Sequence, residues 1–134
     1  REKAGLAYYA QSELGMGLGP ITWQVVAGVN PNNVDKAIAL IRKELSRFTT
    51  ELVTEEELAD VRSAVVGRLP LSLESNAGIA SALLNLERYK HSLDYIRELP
   101  ARIAAVTRED ILRVAQTYWQ LDNMVIASAG VALS

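Results

Sequence analysis

Residues 21–48 read ITWQVVAGV, then NPNN, then VDKAIALIRKELSRF. The first block, Ile21 to Val29, is rich in β-branched and aromatic residues, which suit a pleated, half-buried surface. In the last block Val34, Ala37, Ile38, Ile41, Leu45 and Phe48 recur at helical spacing. Asp35, Lys36, Arg42, Lys43 and Arg47 fall elsewhere on the wheel. The hydrophobic period therefore changes from two to about 3.6 across a short Asn- and Pro-rich link. Pro31 opposes extension of the helix backwards, and Asn32 or Asn33 can cap it.

Upstream, Leu6, Tyr8 and Ala10 fall on one face of an extended strand, and Ala7, Tyr9 and Gln11 on the other. The connector Glu13-Leu14-Gly15-Met16-Gly17-Leu18-Gly19-Pro20 has the glycines a reversal needs. A β-hairpin is expected over the first thirty residues. Downstream, Thr54-Glu55-Glu56-Glu57 reads as a capping box, followed by Leu58, Val61, Val65 and Leu69 on one stripe and by Pro70 as a stop. Ser75 can cap a third helix, whose small residues Ala77, Gly78, Ala80, Ser81 and Ala82 suit close packing. Residues 93–106 are helical in pattern, with Pro100 expected to break or kink them. Thr107-Arg108-Glu109-Asp110 opens a last helix, and Met124 to Val131 reads as a closing buried strand.

The order is strand, strand, several helices, strand, which predicts an α+β fold rather than alternating βαβ units. The expected sheet is antiparallel, made of the N-terminal hairpin plus the C-terminal strand, with helices covering one face. At 134 residues the chain suits a single domain, residues 1–134. With 49% hydrophobic and 22% charged residues it is globular in composition. Fourteen Lys+Arg against 16 Asp+Glu, a net charge of -2, argue against nucleic acid as the main partner. No run is long and apolar enough for a membrane span of about 20 residues. The opening Arg1-Glu2-Lys3, without an initiator Met, reads as part of a longer polypeptide.

Few motifs carry chemistry by themselves. Gly15-x-Gly17-x-Gly19 lacks the Lys-Ser/Thr pair and the spacing of a phosphate loop, so a hairpin connector is the better reading. His91 is the sole histidine and the chain has no cysteine, short of the three protein ligands usual for catalytic zinc. The frame His91-Ser92-Leu93-Asp94-Tyr95 lacks the second histidine of H-x-x-E-H, and a helix-end or surface histidine fits better. Glu55, Glu56 and Glu57 suit a helix N-terminus better than acid–base work. Arg1, seven residues before Tyr8 with Gly5 between, is on spacing alone only a chain end leading into an aromatic strand.

Arg-Glu-Lys-x-Gly-Leu-Ala-Tyr, the glycine-bearing hairpin, the amphipathic helix and Val53-Thr54-Glu55-Glu56-Glu57-Leu58 together resemble the insulinase/pitrilysin family. These zinc peptidases include the mitochondrial processing peptidases. Tyr95-Ile96, Val106-Thr107, Asp110-Ile111, Tyr118 and Asp122-Asn123-Met124-Val125 resemble the family's closing segment, so the likeness runs across almost the whole chain. The resemblance implies the latter half of the second, metal-free domain of such a peptidase. It implies no cofactor in this chain, and zinc in the parent protein or a partner. The implied partners are the zinc-bearing peptidase domain and a peptide substrate. In the family an Arg and a Tyr seven residues apart reach from this domain to the active site, and Arg1 and Tyr8 match them. A phenol and a guanidinium can both donate to a developing oxyanion. The alternative implied by the same resemblance is a non-catalytic assembly subunit, of the respiratory-complex core-protein type.

Overall fold

The computed structural model describes residues 5–15 and 17–130. The expected hairpin forms: β1 (Ala7–Leu14) pairs antiparallel with β2 (Trp23–Val29), and the amide of Gly15 donates to Thr22 O at 2.7 Å to close its end. Five helices follow: α1 (Val34–Thr50), α2 (Glu55–Ser72), α3 (Asn76–Arg88), α4 (Asp94–Ala105) and α5 (Arg108–Tyr118). The fold is α+β. Two compact units divide it, one made of the described residues up to Thr50 with those from Tyr118 onward, the other Glu51–Thr117.

In the first unit, Asn30 rather than Asn32 or Asn33 is the cap. Its Oδ1 accepts from the Asn32 amide at 3.0 Å and starts a short 3₁₀ turn that runs into α1. Pro31, which has no N–H to satisfy, takes the first position of that turn, so the cap must precede it. The predicted apolar stripe of α1 faces β2: Ile38, Ile41 and Leu45 share a cavity with Trp23 and Val25. Beyond α1's end, Trp119 stacks on Trp23 with centroids 4.4 Å apart, and Phe48 meets Trp119 edge-on at 5.8 Å.

The expected third strand does not form over its described residues, 124–130; Val131 lies outside them. Among the described residues the sheet has two strands, and after a 3₁₀ turn (Leu121–Asn123) residues 124–130 have no ladder partner. Met124, Ile126 and Ala127 instead line the cavities that β2 and α1 share. Nor is the run buried as expected: Val125 is 92% exposed and residues 126–130 are exposed too, so apolar composition alone secured neither a ladder partner nor cover.

In the second unit the capping box of α2 is complete: Thr54 Oγ1 accepts from the Glu57 amide, and Glu57 Oε2 from the Thr54 amide at 2.8 Å. Neither proline interrupts its helix. Pro70 lies in the last turn of α2, which ends two residues later, and Pro100 lies within α4. A proline removes one donor and crowds the carbonyl four residues back; at Pro70, near the helix end, few bonds remain to be lost, whereas Pro100 sits mid-helix. A Cβ on Gly78 would run into the Ser72 carbonyl, but Ala77, Ala80 and Ser81 are exposed, so the close packing expected of the small residues of α3 is confined to its start. Arg62 in α2 donates through Nη2 to Val106 O, and Arg108 at the start of α5 donates to Val53 O and pairs with Glu55 at 3.2 Å. Two guanidinium groups thus occupy carbonyls in the links between helices. Val53, Leu58, Leu86 and Ala115 are buried, whereas Val61 and Val65, expected beside Leu58, are exposed.

Helix α3 ends in a Schellman turn. The His91 amide donates to Leu86 O at 2.9 Å and the Lys90 amide to Glu87 O at 3.2 Å, with Lys90 at φ 55°. That left-handed position ordinarily belongs to glycine. Lys90→Gly should raise stability by about 0.5–1 kcal/mol. A melting temperature that stays level or falls would contradict the assignment.

Thr107 and Asp110 cap α5 reciprocally, and Arg113 adds a 2.9 Å ion pair to Asp110. The Arg113 hydrogen bond first, then those from the Thr107 backbone and side chain, hold the Asp110 carboxyl below its usual 3.8. A carboxyl whose folded pKa is depressed adds stability above its unfolded pKa and loses it as pH falls through the folded value. The stability difference between the native chain and Asp110→Asn should therefore be constant at neutral pH and shrink below about pH 3.8. Thermal melts across that range measure it.

Candidate functional site

The hairpin is where sequence and structure meet over function. Gly5 takes φ 59°, a left-handed turn just before β1, as its place ahead of the strand requires. From there the register is Ala7↔Val29, then Tyr9↔Gly28, then Ala10↔Ala27 and onward without slip to Leu14↔Trp23. Tyr8 is the extra residue, a β-bulge that no residue of β2 opposes.

The bulge overturns the simple alternation. Ala7 and Ala10, three apart, now pair with Val29 and Ala27 on one face of β2, while Tyr9 pairs with Gly28 and Gln11 with Val26 on the other. A period of two assumes an unbroken ladder, and one inserted residue exchanges the faces on its two sides. Tyr8 is left 75% exposed and Tyr9 half exposed. Among the described residues the Tyr8 hydroxyl has no recorded hydrogen-bond partner. Arg1, its companion in the sequence reading, lies outside the described residues.

The remaining candidates resolve as structure. His91 is exposed at the end of α3, its ring stacked on Tyr95 at 4.0 Å and 4°, with the Arg102 guanidinium 5.2 Å from the centre of the Tyr95 ring. Glu57 is committed to the cap of α2 and Glu55 to Arg108. Among the described residues no three His, Asp or Glu side chains converge as metal ligands. No described helix is long and apolar enough to cross a membrane. Sequence reasoning passed over Gly28. Its signal was a glycine interrupting a β-branched strand opposite two adjacent tyrosines, a pattern that marks a bulge or a close approach.

Comparison with known proteins finds similar sequences. Residues 1–65 match the family model described as the peptidase M16 inactive domain. That likeness covers just under half of the chain. Over those residues this bears out the resemblance to the zinc-peptidase family, in its inactive type of domain. A probable inactive metalloprotease of Bacillus subtilis is 25% identical over 123 residues, 92% of this chain and 28% of that protein. An uncharacterised zinc protease of Streptomyces coelicolor is 28% identical over 116 residues, 87% of this chain and 25% of that protein. The chain thus spans about a quarter of the length of these relatives. The M16 match covers the hairpin, α1 and the start of α2, so the bulge with Tyr8 falls within it.

An M16 inactive domain with one histidine and no cysteine should hold no catalytic zinc of its own. Metal analysis of the purified chain, dialysed against zinc, should give well under one equivalent. Stoichiometric zinc lost on His91→Ala would overturn this.

Proposed function

We propose that this chain is the latter half of the second, metal-free domain of a zinc metallopeptidase, and that it supports peptide hydrolysis at a zinc site carried by another domain. Tyr8 and Arg1 donate hydrogen bonds to the scissile carbonyl as it becomes a tetrahedral oxyanion. The observation that carries this reading is the bulge: it takes Tyr8 out of the ladder and leaves its phenol exposed on the hairpin. A donor held ready before the charge develops needs no reorganisation when the reaction occurs. Supplying it from a second domain makes turnover depend on closure around the peptide. The zinc-bearing domain, in the same polypeptide or a partner subunit, and a peptide substrate are the partners this requires.

A second reading has one observation in its favour: the Bacillus subtilis relative is named a probable inactive metalloprotease. On that reading the chain is a non-catalytic assembly subunit and Tyr8 has no chemical role.

One substitution separates the two. Tyr8→Phe in the parent protein keeps the ring and removes a single donor, so packing and melting temperature should hold. Turnover should fall about a hundred- to thousandfold, or about 2.7–4 kcal/mol, as for loss of one oxyanion donor. Full activity in Tyr8→Phe would refute the oxyanion role and favour the assembly reading.

A further inference from the structure

Tyr8 and Tyr9 are adjacent, yet only one of them is seated on β2. Tyr9 takes the place opposite Gly28, and its ring lies directly over that glycine. A Cβ on Gly28 would stand 2.9 Å from both Cδ1 and Cζ of Tyr9, and nearer still to Cε1. Real Cβ atoms essentially never approach ring carbons so closely, so the ring occupies space that only glycine leaves open. An aromatic ring laid across a cross-strand glycine covers backbone that would otherwise be bare and pins the register.

The alternative register has a definite cost. Without the bulge, Ala7↔Val29 would be followed by Tyr8↔Gly28, and Tyr8 would take the seat that Tyr9 now holds. Every later residue of β1 would move to the other face. The two tyrosines therefore compete for one glycine, and the outcome decides which phenol stands outside the ladder.

We infer that Gly28 and Tyr9 are positioning residues: the ring of Tyr9 packed on Gly28 holds the bulge that presents Tyr8. The inference rests on the oxyanion role proposed for Tyr8, since positioning matters to turnover only if that phenol acts. Tyr9 contributes through its ring alone, and its hydroxyl is not required. Gly28 contributes by the absence of a side chain.

The test uses the parent protein with Gly28→Ala, Tyr9→Ala and Tyr9→Phe, each read by turnover and by amide hydrogen exchange at residues 7–10. Gly28→Ala displaces the ring and Tyr9→Ala deletes it. Both should lower kcat by about tenfold to a hundredfold, the scale on which small misplacements of a catalytic group act, with KM little changed. Both should also speed exchange of the Tyr8 to Ala10 amides at least tenfold. Tyr9→Phe should restore native exchange and native kcat. In a Tyr8→Phe background Gly28→Ala should cost nothing more, because its effect runs through the phenol already removed.

Unchanged exchange in both Gly28→Ala and Tyr9→Ala would overturn the positioning role whatever the activities. So would an equal loss of kcat with and without the Tyr8 hydroxyl, which is the mark of general damage. If Tyr8→Phe is itself fully active, the oxyanion reading falls and takes the effect on turnover with it. The exchange measurements then still decide whether Gly28 and Tyr9 hold the bulge. Should Gly28→Ala fail to fold, Tyr9→Ala against Tyr9→Phe carries the comparison.

Discussion

The stack of Trp119 on Trp23, with Phe48 against its edge, joins three parts of the chain that would otherwise have little reason to meet. Trp23 opens β2, Phe48 lies in the last turns of α1, and Trp119 follows α5. Offset stacking and edge contacts each add about 0.5–1.5 kcal/mol beyond the area they bury. They matter more here because, among the described residues of this unit, Ala37 and Leu45 are the buried apolar ones, and β1 is exposed along most of its length. A two-stranded hairpin alone is marginal in water. With Trp23 clamped, β2 has a fixed end against α1, and the register of β1 can be counted from there.

The second unit is held differently. Its buried residues, Val53, Leu58, Leu86 and Ala115, are few and spread over its helices and links. Two long guanidinium side chains complete it by donating to the carbonyls of Val53 and Val106. Link carbonyls have no helical partner, and arginine has enough donors to serve one of them and a carboxylate together, as Arg108 does with Val53 and Glu55. Each unit thus solves the same problem, too little apolar cover for its own backbone, with a different chemistry.

The candidate site inherits its character from the first unit. A phenol useful to an oxyanion must be exposed, unpaired and still, and exposure ordinarily brings mobility. In the role proposed for Tyr8 the bulge bears on these demands, since it projects Tyr8 from between two residues, Ala7 and Tyr9, that are both paired with β2. It also explains why an aromatic residue of this size is left uncovered on a small, thinly cored hairpin. The M16 relationship gives the surface a context, and the local geometry shows how this hairpin could serve it.

Much was legible in the residues themselves. The change of period after Val29 marks the passage from hairpin to α1, and Thr54 with Glu57 marks the start of α2, because such signals act between residues a few places apart. The motif around Tyr8 pointed to the family, and the histidine count to a metal-free domain. What the residues did not disclose were events between distant parts of the chain. Pro70 read as a stop and Pro100 as a break or kink, yet both lie within helices, and Met124 to Val131 read as a strand, yet its described residues 124–130 have no ladder partner. The faces of β1 were misread for the same reason. Alternation follows from sequence only while the ladder is unbroken, and the bulge at Tyr8 exists because Gly28, on the other strand, has room for the ring of Tyr9.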